Sequence, residues 1–153
     1  MIQACTTLEH PLLTIQSLAT DVISTPELVE FPTTLGTAFG YYYPPKNDKF
    51  RSSDKAPPLL VKAHGGPTAC TGTSFNAGLQ FWTSRGYAIL DVDYGGSTGY
   101  GRDYRRRLRG SWGIVDIDDV CAGGSYLVER GLADGDRLCI DGGSAGGYTT
   151  LGA

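Results

Sequence analysis

The chain has 153 residues, 41% of them hydrophobic, and a formal net charge of −3. That is enough to bury one core, so a single soluble domain is expected, and the negative balance argues against a nucleic-acid surface. The four cysteines, Cys5, Cys70, Cys121 and Cys139, have no C-x-x-C spacing and no nearby histidine, so no metal and no cofactor are expected.

The opening Met1-Ile2-Gln3-Ala4-Cys5 carries no lysine or arginine and leads into no sustained apolar stretch. Neither a secretory signal nor a membrane span is predicted, and a cytoplasmic address is the default. Residues 1–25 mix Thr, Ser, Leu and Pro without a firm period and read as an irregular or weak-strand arm, with His10 exposed in it. Runs rich in β-formers from Leu28 to Phe31 and from Thr37 to Tyr43 flank Pro32-Thr33-Thr34-Leu35-Gly36, which predicts an antiparallel strand pair around a glycine-containing turn. From Pro44 to Pro58 the composition turns to Pro, Lys, Asn, Asp and Ser, an exposed connection.

Leu59-Leu60-Val61-Lys62-Ala63 is the next strand and runs into His64-Gly65-Gly66-Pro67, where two glycines free backbone N–H groups to face a ligand. Residues 77–85 predict a short helix closed by Gly86, and Tyr87 to Val92 the strand after it, which makes a βαβ unit. A glycine-rich loop from Gly95 to Gly101 follows. Arg102, Arg105, Arg106, Arg107 and Arg109 read as the solvated face of a short helix, not as an anion or RNA site.

The strongest helical pattern follows Trp112-Gly113. Ile117, Val120, Cys121, Gly124, Leu127 and Val128 share one face, Asp116, Asp118 and Asp119 fall in the first turn, and Gly131 lies past the end. Arg137-Leu138-Cys139-Ile140-Asp141 then reads as a buried parallel strand that completes a second βαβ unit, with Cys121 and Cys139 expected in the core. The expected fold is α/β: a parallel sheet with flanking helices and an N-terminal antiparallel strand pair.

That last strand ends in Asp141-Gly142-Gly143-Ser144-Ala145-Gly146-Gly147, the spacing of a nucleophile elbow, in which a serine on a strained turn leaves no room for a Cβ at the flanking positions. Gly95-Gly96-Ser97-Thr98-Gly99 has the same spacing, so spacing alone leaves two candidates. Ser144 is favoured because a small-residue helix start follows it, whereas Gly99-Tyr100-Gly101 suit an open loop. Three strand-end loops converge on the end of the sheet where ligands of such folds bind: His64-Gly65-Gly66, the loop bearing Gly96, Ser97 and Tyr100, and the Ser144 turn.

For acyl transfer at Ser144 the oxyanion would be held by the Ala145 N–H and an N–H of the earlier glycine loop, with Gly66 the first choice. A serine also needs a base. Both histidines, His10 and His64, precede Ser144, and the nine residues after it (153 − 144) include no acid and no histidine. His64 is not expected to act as the base, since it stands in the loop that must donate N–H groups. The expectation is the front portion of a longer hydrolase domain, truncated after the elbow, inactive alone, and able to associate through an unfinished sheet edge.

Together these stretches resemble, from about Pro26 to Ala153, the start of the catalytic domain of the prolyl oligopeptidase family of serine peptidases. The likeness is strongest to its acylaminoacyl-peptidase and dipeptidyl-aminopeptidase-like members. It is carried by Pro26-Glu27 with Phe31-Pro32-Thr33, Tyr42-Tyr43-Pro44-Pro45, His64-Gly65-Gly66-Pro67, Gly96-Ser97-Thr98-Gly99-Tyr100-Gly101, Trp112-Gly113 with Asp116 and Asp119, and Gly143-Ser144-Ala145-Gly146-Gly147-Tyr148.

The resemblance implies a partial α/β-hydrolase fold, a peptide or acyl-peptide substrate cleaved through an acyl-enzyme on Ser144, and Ser97 as part of a family loop and not the nucleophile. It further implies that residues 1–25 are the tail of a β-propeller and that the family's Asp and His lie beyond Ala153. His64 stands where some members have tyrosine, which leaves the oxyanion to backbone donors, and Gly95 stands where many carry arginine. The alternatives are a carboxylesterase of the same fold and a non-catalytic fragment that binds a partner through its open edge. The matches at 26–45 and 96–101 favour the peptidase.

Overall fold

A computed structural model describes residues 20–50 and 56–153, so Cys5, His10 and most of the expected N-terminal arm lie outside the described residues. Strands β1 (Glu27–Thr33) and β2 (Gly36–Tyr43) pair antiparallel from Thr33↔Gly36 to Glu27↔Tyr42. Gly36 closes the turn at φ +108°, a conformation that L side chains rarely adopt.

The remaining strands are β3 (Leu59–Ala63), β4 (Ala88–Asp93) and β5 (Leu138–Gly142). The sheet order is β1-β2-β4-β3-β5, with β2 antiparallel to β4 and β3 parallel to both β4 and β5. Among the described residues four α-helices accompany it: α1 (Ala77–Thr83) between β3 and β4, α2 (Gly101–Arg106) and α3 (Val115–Glu129) between β4 and β5, and α4 (Ala145–Gly152) after β5. This is the α/β arrangement expected, a mostly parallel sheet carrying an antiparallel pair.

Strand periodicity sorts the core into two layers. Leu59, Val61 and Ala63 of β3 and Leu90 and Val92 of β4 face Val120 and Leu127 of α3. Leu60, Ile89 and Tyr43 face the other way, toward Leu79 of α1. The Asn76 side chain starts α1 by accepting the N–H groups of Gly78 and Leu79. Gly123 lets α3 approach the sheet, since a Cβ there would stand 2.8 Å from Leu90 Cδ2 and 3.0 Å from Phe31 Cζ.

Three expectations need correction. The buried face of α3 is turned from the predicted one: Asp116, Asp119, Val120, Gly123, Gly124 and Leu127 are buried, whereas Cys121 is exposed. Of the three first-turn aspartates, Asp116 and Asp119 face inward, where each finds donors, and these polar anchors turn the helix from the apolar stripe, while Asp118 is exposed. Cys139 is exposed as well, because β5 forms the edge of the sheet among the described residues and is not buried on both sides. Leu138 on the same strand is 47% exposed. Lastly, Arg107 is not merely solvated: Nη1 donates to the Thr37 carbonyl at 2.7 Å and the guanidinium lies 4.5 Å from the Tyr104 ring centroid. No helix among the described residues is long and apolar enough to cross a membrane.

Candidate active site

Ser144 joins β5 to α4 and is exposed. Among the described residues it is the one non-glycine with positive φ, at φ 56° and ψ −119°. A non-glycine in such a region costs on the order of 1–3 kcal/mol and persists only where the surroundings enforce it. Here they do so by close packing. A Cβ at Gly142 would stand 2.6 Å from the Gly146 carbonyl carbon and 2.8 Å from the Ala63 carbonyl oxygen, and one at Gly146 would stand 2.7 Å from the Ala63 carbonyl carbon and 2.8 Å from the His64 carbonyl oxygen. These glycines let α4 start directly against the end of β3, which turns the serine out of the sheet. Ala145 is the first residue of α4, so its N–H precedes any i−4 partner within the helix.

The loop after β3 lies against this turn. A Cβ at Gly65 would be 3.5 Å from Ser144 Cβ and 3.2 Å from the Gly143 carbonyl oxygen, so only glycine allows the approach without a shift. Gly66 has φ +128° and is exposed, and a Cβ on it would stand 2.9 Å from the Ala69 nitrogen. The loop therefore curls tightly while its outer surface stays open.

The side chain of His64 makes its contacts with Ser97, Gly65 and Tyr94. Its Nε2 lies 2.7 Å from Ser97 Oγ, its Nδ1 2.8 Å from the Gly65 carbonyl oxygen, and its ring stacks on Tyr94 with centroids 4.3 Å apart. Ser97, in the second copy of the serine spacing, is fully buried, and its hydroxyl lies 2.7 Å from the Tyr94 carbonyl oxygen. Gly96 is likewise buried, at φ +116°, where a Cβ would stand 2.7 Å from Leu108 Cβ. Tyr100 donates its hydroxyl to Asp93 Oδ2 at 2.8 Å and stacks on Phe39. The side chains of this loop thus brace the first glycine loop from behind, while the exposed surface belongs to Gly66 and Ser144.

Asp93 went unnoticed in the sequence, although it anchors the region. It is 2% exposed and accepts the Thr71 N–H at 2.7 Å, the Thr71 hydroxyl at 3.0 Å and the Tyr100 hydroxyl at 2.8 Å. Tyr94 beside it donates to the His64 carbonyl at 2.8 Å, and its phenol is held well above the ordinary tyrosine range by burial first and then by the charges of Asp116 and Asp93. Two acids at alternate positions of one apolar strand, Asp91 and Asp93, were the available signal. Asp119 supports the second loop from below by accepting the Gly95 N–H at 2.7 Å, and burial raises its carboxyl above the usual range. Among the described residues no cluster of three or more His, Cys, Asp or Glu could hold a metal ion.

Comparison with known proteins agrees with this geometry. The model of the prolyl oligopeptidase family matches residues 73–153, just over half of the chain. Dipeptidyl aminopeptidase BIII of Pseudoxanthomonas mexicana is 37% identical over 99 residues, 65% of this chain and 14% of that enzyme. The acylamino-acid-releasing enzyme of Arabidopsis thaliana is 36% identical over 104 residues, 68% of this chain and 14% of that enzyme. Among solved structures, puromycin hydrolase superposes with a TM-score of 0.85 at 42% identity over 89% of this chain and 21% of its own. Pyrococcus horikoshii acylaminoacyl peptidase gives 0.74 at 30% identity, over 85% and 21%. The chain spans 14% of the length of these curated relatives and 21% of these solved chains. With sequence, fold and the strained serine turn in agreement, this chain belongs to the prolyl oligopeptidase family.

Proposed function

We propose that Ser144 is the nucleophile of a serine peptidase acting on peptide or acyl-peptide substrates, with the N–H groups of Gly66 and Ala145 holding the oxyanion. Ser144 Oγ attacks the scissile carbonyl carbon, the bond to the amine breaks, and the amine leaves with a proton while the acyl group stays on the serine as an ester. Water then releases the acid and restores the hydroxyl. The observation that carries this reading is the exposed, strained Ser144 with the glycine loop packed against its turn, close enough that a Cβ at Gly65 would stand 3.5 Å from Ser144 Cβ. The names of the relatives, an aminopeptidase and an acylamino-acid-releasing enzyme, support an amide over an ester as substrate.

The proton acceptor comes from outside the described residues, because His64, the one histidine among them, is engaged with Gly65 and Ser97. The test is reaction of the chain with a fluorophosphonate, with and without added imidazole as an external base. Slow labelling of Ser144 that imidazole accelerates, and that Ser144→Ala removes, supports the reading. Labelling confined to another residue contradicts it, and fast labelling without imidazole shows that the chain carries its own base. Faster imidazole-supported turnover of an aminoacyl anilide than of a short-chain ester supports the peptidase, and the reverse the esterase.

A further inference from the structure

The sequence alone assigns the arginines after Gly101 to a solvated face, and the structure sorts them more finely. Arg102, Arg105, Arg106 and Arg109 are all exposed, while Tyr104 and Leu108 between them are buried. The four recur at i, i+3, i+4 and i+7, so along a helical path they fall on one face. That path continues past the end of α2, because the Arg109 N–H donates to the Arg106 carbonyl at 3.0 Å. We propose that this arginine stripe is a docking surface for an extended, acidic polypeptide segment. The inference does not depend on Ser144 being a nucleophile.

The stripe is unpaired and stands on a fixed base. Among the described residues the one acid beside it is Asp103, 3.8 Å from Arg106 Nη1, and with its side chain 98% exposed that contact is too solvated to hold the arginine. Arg102, Arg105 and Arg109 pair with no described acid. Five of the chain's thirteen Lys and Arg residues lie between positions 102 and 109 although the net charge is −3, so the patch is a local excess and not part of a generally basic surface. The backbone beneath is held by other groups. The Tyr104 hydroxyl donates to the Asp93 carbonyl at 2.6 Å, Leu108 packs where a Cβ on Gly96 would stand 2.7 Å away, and Arg107 reaches the Thr37 carbonyl. The four outer guanidinium groups are therefore carried on a rigid support that asks nothing of them.

Charge complementarity names the occupant. A guanidinium offers paired N–H donors that match the two oxygens of a carboxylate. Neighbours on the stripe are spaced by about 5–6 Å, and alternate side chains of an extended peptide by roughly 7 Å, so flexible arginines reach successive acids on one side of such a peptide. A nucleic acid would instead meet a chain that is negative overall, with one short basic face to neutralise its phosphates. The stripe also lies on the segment that joins two elements framing Ser144. It leaves the loop bearing Gly96 and Ser97 and ends at Trp112, whose ring lies 5.1 Å from that of Tyr148, and the Tyr148 N–H donates to the Ser144 carbonyl one turn back along α4.

The test is fluorescence anisotropy of the chain titrated into a labelled peptide of alternating Glu and Ala, with a peptide of alternating Gln and Ala as its neutral twin. The proposal expects saturable binding of the Glu peptide alone, weaker as salt is raised. Arg105→Gln combined with Arg109→Gln should weaken it roughly tenfold, the loss of two exposed ion pairs, and flatten the salt dependence. Arg102→Gln combined with Arg106→Gln should do the same, which keeps the test decisive if one pair of substitutions disturbs the fold. Arg130→Gln, at the opposite end of α3, should leave the affinity unchanged. No binding of the Glu peptide, equal binding of the two peptides, or undiminished binding in both double variants overturns the proposal. Tighter binding of single-stranded oligouridylate than of the Glu peptide at the same salt overturns it in favour of a nucleic acid. A concentration-dependent dimer in sedimentation that the double variants abolish overturns it in favour of a second copy of this chain.

Discussion

The carboxylate of Asp116 at the start of α3 and the hydroxyl of Thr149 in α4 face each other at 2.6 Å, both fully buried. The other Asp116 oxygen accepts the Gly113 N–H at 2.6 Å, so a single side chain ties the Trp112-Gly113 loop, α3 and the helix that begins at the nucleophile. Thr149→Val keeps the shape and leaves one carboxylate oxygen unpaired. It should cost about 1–3 kcal/mol of stability, and Asp116→Ala, which removes the acceptor of the Gly113 N–H and leaves the Thr149 hydroxyl only its longer bond to the Ala145 carbonyl, should cost more. Denaturant unfolding checks this; a Thr149→Val variant as stable as the wild type contradicts it.

The glycines around Ser144 should respond unequally. Alanine normally stabilises a helix by about 1 kcal/mol over glycine, which favours Gly146→Ala in α4. Its Cβ would however stand 2.7 Å from the Ala63 carbonyl carbon and 2.8 Å from the His64 carbonyl oxygen, both rigid backbone. Overpacking of this kind costs roughly 1–3 kcal/mol, so the clash should win and imidazole-supported labelling of Ser144 should be lost with it. Nothing lies within 4 Å of a Cβ at Gly143, and Gly143→Ala should stay within about 0.5 kcal/mol of the wild type.

The two serines in the same local spacing should separate cleanly. Ser144→Ala should abolish fluorophosphonate labelling. Ser97→Ala should keep the tag on Ser144 but lose about 1–3 kcal/mol, because it strands His64 Nε2 inside the protein. Peptide mass spectrometry of the labelled chain reads the first effect and thermal unfolding the second. A tag on Ser97 would reverse the assignment.

Asp91 gives a pH dependence of known sign. Burial pushes its carboxyl from 3.8 to about 6, with Lys62 pulling it down and Asp93 pushing it up. The folded chain therefore holds this proton more tightly than the unfolded one. As pH rises from about 4 the unfolded chain ionises first, so stability falls until the folded carboxyl ionises near 6 and is level above. Relative to the wild type, Asp91→Asn should gain up to roughly 3 kcal/mol across that window. A difference between the two that is flat from pH 4 to 7 contradicts it.

The elbow, the glycine loop and the βαβ order were legible in the sequence because each depends on local constraints: serine flanked by glycines at fixed spacing, strands of one period, helices closed by Gly86 and Gly131. The rotation of α3 was not. An apolar stripe through Cys121 fits a free helix, but Asp116 and Asp119 have partners (Thr149, Gly113 and Gly95) that come from other segments, and no spacing within the helix reveals them. Cys139 is exposed against expectation because a short apolar run describes a central strand and an edge strand equally well, and β5 is an edge among the described residues. The contacts of His64 with Ser97 and Tyr94, some thirty residues away, become visible only when the two glycine loops are side by side.

The most direct measurement is a crystal structure of the chain phosphonylated at Ser144. The phosphonyl oxygen that mimics the oxyanion should lie about 3 Å from both the Gly66 and the Ala145 nitrogens. An adduct whose oxygen points to solvent, or whose neighbours are neither of those amides, would contradict the account.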